Sequence, residues 1–169
     1  MALYNSHGPL YDPWVWVGDE EQVPSDTSFI VSASRFLETV KLLLMSDSPI
    51  GVWLTTEDQK ELIEPYADKL KLIALEFIHF KDGRSFSMAR VLRERSGFDG
   101  ELRAFGDLLP DQASFLVRSG FDTFEIPDTF SQESVCKALN SYTVWYQFAA
   151  DKRKTAPVLR HWLAEEAGT

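Results

Sequence analysis

Five short apolar runs alternate with helix-patterned stretches along this chain, and that alternation constrains the fold more than any other feature. The runs cover residues 29–31, 50–54, 72–77, 101–105 and 123–126, and the third is apolar almost throughout, as in a strand covered on both faces. Between them, residues 34–45 place Phe36, Leu37, Val40, Leu43 and Leu44 at helical spacing behind Ser34 as N-cap. Thr56 predicts a helix over 57–70, with Glu57 and Asp58 in a first turn that favours acids. Ser85 or Ser87 opens a helix ending near Arg95, Asp107 and Pro110 start one over 112–119, and a last helix spans 132–149. Tight, glycine-marked connections then predict βαβ units with right-handed crossovers. The expected class is α/β, with about five mainly parallel strands. Both an open doubly wound sheet and a half-barrel-like (β/α) array satisfy the pattern, and eight strands look too many for the length.

Around this unit, residues 28–150, the spacing predicts an irregular leader at 1–27 and a tail at 151–169. The leader carries Pro9, Pro13 and Pro24 with one short strand at 14–17. The tail allows a short amphipathic helix through Val158, Leu159, Trp162 and Leu163. Hydrophobic content of 44% and charged content of 25% fit a globular domain, and runs such as 42–45 are far shorter than a membrane span. The first residues lack the basic and apolar regions of a secretory signal, and the lone Cys136 excludes an internal disulfide, so a cytoplasmic location is expected.

The net charge of −9 argues against nucleic acid. It is unevenly spread: residues 81–103 hold six basic and four acidic side chains, a local +2 that leaves −11 elsewhere. Such a patch suits a small anion or an acidic partner protein, although Arg90, Arg93 and Glu94 read equally well as a solvated helix face. Ser96-Gly97-Phe98-Asp99 is echoed by Ser119-Gly120-Phe121-Asp122, each reading as a helix stop whose phenylalanine folds back.

Ligands of parallel sheets gather beyond the carboxyl ends of the strands, which here supply Glu76, His79, the Asp82-Gly83-Arg84 turn, Asp107 and Glu125. An arginine inside a strand is costly unless paired, so Arg103 is expected to meet Glu76 and Glu125, as a register-fixing ion pair or as a polar centre. Arg84, with Ser85 and Ser87, is the leading anion-binding candidate at a helix start. Glu76, His79 and Glu125 are the candidate acids and bases. Asp107, Asp111 and Gln112 form a second loop, with Asp107 equally readable as an N-cap. Arg90 and Arg93 are candidate partner contacts. His7 and His161 lie in the termini without a ligand pattern. No metal-ligand spacing, dinucleotide loop, phosphate loop or nucleophile elbow occurs, so neither metal nor cofactor is expected. The aromatic set Trp145, Tyr146, Phe148 and Trp162 suits core packing first and a homodimer or partner interface second.

Three consecutive blocks carry a family resemblance: DGRSFSMARVLRER at 82–95, GELRAFGDLLPDQ at 100–112 and GFDTFEI at 120–126, with IALEF at 73–77 before them. They resemble the signature of the bacterial domain-of-unknown-function family 934, departing from it at Ser85, where the family usually has glycine. The resemblance implies no established activity. Its members' genes often neighbour the assimilatory sulfite reductase haemoprotein, and some are labelled oxidoreductases, which implies a role in sulfur assimilation or cysteine biosynthesis. Two readings follow. In one, the chain is a non-catalytic accessory protein that binds sulfite reductase or another acidic redox protein. In the other, it is a small enzyme or anion-binding protein acting on a sulfur oxyanion or carboxylate at the strand ends.

Overall fold

In the computed structural model, which describes residues 1–58, 61, 63–142, 144–150 and 155–156, the five apolar runs form neighbouring strands in their order along the chain. Phe29–Ser32 (β4), Ile50–Leu54 (β5), Leu72–Phe77 (β6), Glu101–Gly106 (β7) and Thr123–Ile126 (β8) each run parallel to the one before. Ala33–Leu43 (α1), Arg84–Glu94 (α2) and Ala113–Ser119 (α3) lie in the connections, and Gln132–Leu139 (α4) follows β8. Because the strand order never reverses, right-handed crossovers carry every connection to the same face. The sheet is therefore a half-barrel and not doubly wound.

The strand count exceeds the expected five. The proline-bearing first residues supply Ala2–Asn5 (β1), Gly8–Leu10 (β2) and Val15–Trp16 (β3), giving eight strands in the order β2-β1-β8-β7-β6-β5-β4-β3. Strand β1 runs antiparallel to β8, and β2 antiparallel to β1. Pro9 is tolerated because β2 is an edge, where a missing N–H costs no ladder bond.

This order forces the sheet to curl. The two edge strands, β2 and β3, are consecutive in sequence, and Leu10 and Val15 are separated by a span of at most about 18 Å. Seven inter-strand steps laid flat would cover about 34 Å. Strand β2 also ends level with the carboxyl end of β8 (Leu10↔Leu3, Leu3↔Glu125), whereas β3 begins level with the amino end of β4 (Val15↔Phe29). Residues 11–14 thus form a strap that descends through the concavity from one edge to the other.

Side-chain alternation divides the sheet into two faces. Ile73, Leu75 and Phe77 of β6, Leu102 and Ala104 of β7 and Phe124 and Ile126 of β8 join Phe36, Leu43, Ala89, Leu92, Leu116, Val135 and Leu139 of the helices in one outer core. The concave face holds a smaller cluster, Ile30, Leu72 and Ala74, with Trp14, Trp16, Trp53 and Phe105 packed against it. Phe105 sits 4.7 Å from Trp16 and 6.0 Å from Trp53 between ring centroids.

Several element ends differ from expectation for local reasons. Ser32, not Ser34, caps α1: its Oγ accepts from the Arg35 N–H at 3.2 Å. Within the expected 57–70 helix, residues 59, 60 and 62 lie outside the described residues, and the rest holds turns and a short 3₁₀ helix, Glu64–Tyr66, with Pro65 in its first turn. Asp58 instead closes a turn, its Oδ2 accepting from the Thr55 N–H at 2.6 Å. Helix α4 stops at Leu139 because Asn140 and Ser141 donate to the carbonyls of Cys136 and Lys137, at 2.8 and 2.9 Å. The expected helix through Val158–Leu163 and His161 lie outside the described residues. No described helix is long and apolar enough to cross a membrane.

The echoed turns are helix stops. Gly97 and Gly120 have φ of +64° and +101°, and the Phe98 and Phe121 N–H groups reach back to Leu92 and Leu116 at 3.0 and 3.1 Å. Gly106 (φ +103°) ends β7 so close to β6 that an added Cβ would lie 2.5 Å from the Phe77 carbonyl oxygen. Gly106→Ala is expected to cost about 3 kcal/mol in urea unfolding, from strain and backbone collision together. Gly83→Ala, whose Cβ meets nothing within 4 Å, is expected to stay within about 0.5 kcal/mol of the parent.

Candidate functional site

Strand alternation places Glu101, Arg103 and Phe105 of β7 on the concave face, beside Thr123 and Glu125 of β8. Arg103 is fully buried. All five of its guanidinium donors are used. Nη1 and Nη2 grip both oxygens of Asp12 at 2.7 and 3.0 Å, Nε and Nη2 share Glu101 Oε1 at 3.1 and 2.9 Å, and Nη1 reaches Glu125 at 3.4 Å. Glu101 is held further by the Thr123 hydroxyl at 2.6 Å and, on its other oxygen, by the Trp14 indole N–H at 3.2 Å. Asp12 and Trp14 belong to the strap, so this centre fastens it to β7.

Arg103 was expected to meet Glu76 and Glu125. Glu125 is there; Glu76 is not. Ala74 pairs with Arg103 in the sheet, and Glu76, two residues on, lies opposite Phe105. Asp12 and Glu101 take the place expected for it. A sequence reading overlooked both: Asp12 approaches only through the strap, and Glu101, two residues before Arg103, qualified from strand alternation alone. Burial works against the charge of Arg103, but the bonds from Asp12 and Glu101 outweigh it and hold its pKa above the ordinary value. Burial pushes the Glu125 carboxyl up, Arg103 pulls it down, and nearby Asp12 pushes it up again; its pKa is raised.

At the carboxyl ends of the strands, β6 leads through His79 into the Asp82-Gly83-Arg84 turn. The Arg84 Nε donates to both Asp82 oxygens at 3.0 and 2.9 Å, and Nη2 to Oδ2 at 2.6 Å. These bonds, with one from the Arg84 backbone N–H, lower the Asp82 pKa to about 2. The Arg84 side chain is 62% exposed, yet its guanidinium already holds an internal anion. Ser85 is buried and donates to the Glu76 carbonyl at 2.8 Å, while Ser87 faces solvent. His79 is exposed, and its carbonyl accepts from the Asp82 N–H at 2.9 Å.

Asp107 is not an N-cap. Its Oδ2 accepts from the Phe80 N–H at 3.0 Å, and the Gln112 side-chain amide donates to the Phe80 carbonyl at 2.9 Å. Together they clamp the loop after β6 to the loop after β7, with Asp111 exposed beside them. On α2 the arginines divide. Arg90 lies outside, paired with Glu94 at 2.7 Å and 63% exposed. Arg93 turns inward: its guanidinium donates to the carbonyls of Gly120, Phe98 and Gly100 and pairs with Asp122. A face read as solvent-exposed thus contributes one of its arginines to the framework. Among the described residues no group of three or more histidine, cysteine or acidic side chains is arranged to hold a metal ion.

Residues 51–157 match the family described as a bacterial protein of unknown function, DUF934. This chain belongs to that family. No curated protein matches it. All three motif blocks fall inside the matched segment, as do Arg103, Glu101 and Glu125. The strap, with Asp12 and Trp14, lies outside it, so in this DUF934 chain the arginine centre joins matched residues to unmatched ones.

Replacing Arg103 by Met would leave Asp12, Glu101 and Glu125 facing one another without their cation, and is expected to cost about 3–5 kcal/mol in denaturant unfolding. In an NMR titration the Asp82 carboxyl should titrate near 2 and move back up in Arg84→Ala. Its folded pKa is depressed, so the stability contributed by this pair is present above the ordinary carboxylate range and lost as pH falls through about 2.

Proposed function

We propose that this DUF934 protein is a non-catalytic accessory protein of assimilatory sulfite reduction, acting in the cytoplasm by binding the sulfite reductase haemoprotein or a similarly acidic redox partner. The pathway rests on the resemblance of the 82–126 blocks to a family whose genes neighbour that enzyme. What supports an interaction role over a catalytic one is the engagement of the charged groups at the centre. Arg103 spends every donor on three carboxylates, Arg93 is bound to three carbonyls and Asp122, and Arg84 closes on Asp82. The outside offers Arg90, whose partner Glu94 is itself exposed, unlike the Asp82 that holds Arg84, with exposed Phe115, Tyr142, Tyr146 and Phe148 on other parts of the surface. An exposed arginine together with surface aromatics fits recognition of an acidic protein surface.

Tagged protein should recover the sulfite reductase haemoprotein from low-salt extract. Recovery should fall with added salt and fall at least several-fold in Arg90→Glu, with the fold intact by circular dichroism. Recovery indifferent to both would reject the proposal. A small-anion site keeps one supporting observation: Arg84 is largely exposed at the amino end of α2. Calorimetry with sulfite and sulfate tests it: binding that vanishes in Arg84→Ala would favour the anion-binding reading, and silence would remove it.

A further inference from the structure

The arginine centre carries one acid more than its geometry uses. Asp12 holds the guanidinium with both oxygens, and Glu101 holds it through two further donors. Glu125 has a single bond of 3.4 Å. Ionised, the three carboxylates against one guanidinium leave this recess at −2 in a low-dielectric setting where like charges repel strongly. The carboxylate whose hold on the centre matters most for the chain is Asp12, because it belongs to an irregular four-residue strap with no ladder of its own. Beyond the Asp12 and Trp14 contacts, the strap depends on the short strand that follows it, where Val15 N–H meets Ser28 O and Val17 N–H meets Ile30 O, each at 2.9 Å.

We propose that the strap is a pH-responsive clasp across the half-barrel, in which Glu125 is the switching group: protonated, it leaves Asp12 and Glu101 to share Arg103; ionised, it repels Asp12 and loosens the strap. Every element packed around Glu125 contributes to its field. Arg103 and Glu101 face it from β7 and Asp12 from the strap, while the amino group of Met1 lies beyond β1, paired with Asp128 at 2.8 Å. Of these groups only Arg103 and the Met1 ammonium favour ionisation of Glu125, and the ammonium is already paired with Asp128. Burial, with the negative charge of Asp12, acts against ionisation and raises the Glu125 pKa. The sign follows: the folded value lies above the unfolded one, so this contribution to stability is complete below the ordinary carboxylate range and lost as pH rises through the raised value. Loosening the strap would uncover the half-buried wall of Trp16, Trp53 and Phe105 behind it.

Hydrogen–deuterium exchange of the full chain, corrected for intrinsic rates, reads this directly on peptides spanning residues 8–18. In the parent, strap protection should fall several-fold between pH 5 and pH 8 while peptides from β5 and β6 stay constant. Glu125→Gln should keep the pH 5 protection at pH 8. Asp12→Asn should lose it at both values. A parent strap whose protection does not change with pH overturns the proposal, as does a Glu125→Gln strap that loosens as the parent does. Should Asp12→Asn fail to fold, the parent and Glu125→Gln decide the matter alone.

Discussion

A four-residue connection between the two edges of an eight-stranded sheet shapes everything else in this protein. Such a link cannot cross a flat sheet of that width, so the sheet must curl until its edges approach, and the link must pass through the hollow it creates. Passing through the hollow brings backbone and polar side chains into an apolar concavity, where unpaired groups are costly. The arginine on β7 resolves that cost. Arg103 sits where the strap descends, binds Asp12 in a two-pronged grip and uses Glu101 to orient both itself and Trp14. Curl, strap and arginine centre are one solution to one constraint.

The residues that make the family blocks recognisable are, for the most part, builders of that solution. Ser85 ties the start of α2 to β6, Arg93 gathers the two helix stops, and Asp107 with Gln112 locks neighbouring loops. Gly106 lets β7 end against the backbone of β6. A signature dense in arginine, aspartate and glutamine suggests a reactive site, yet Arg93, Asp107, Gln112 and Asp122 are spent on backbone carbonyls and amides, and Arg84, Arg90 and Arg103 on neighbouring carboxylates. That spending turns attention from the motif's polar residues to the outer surface and to the recess under the strap.

The fold class was legible because hydrophobic periodicity is local: an apolar run of strand length followed by a helical pattern reads the same before and after folding. The SGFD stops were legible for the same reason, since a left-handed glycine and a returning phenylalanine involve only neighbouring residues. Choosing between an open and a half-barrel sheet was not legible, because strand order is a long-range property. The first ten residues were the largest omission. Pro9 argued against regular structure there, and only the edge position of β2 makes it harmless.

The sequence by itself determined that there would be parallel strands, where they would lie, and that an arginine inside one of them needed acidic company. Tertiary structure alone decided which acids those are. Glu125 was within reach by register, but Glu76 fell two residues out of step, and Asp12 arrived from 91 positions away in the chain. The physical reason is that a buried charge specifies that it be paired, through the cost of leaving it unpaired, and says nothing of the partner. The partner is set by which segment the closing sheet carries past it, and here that segment is the strap.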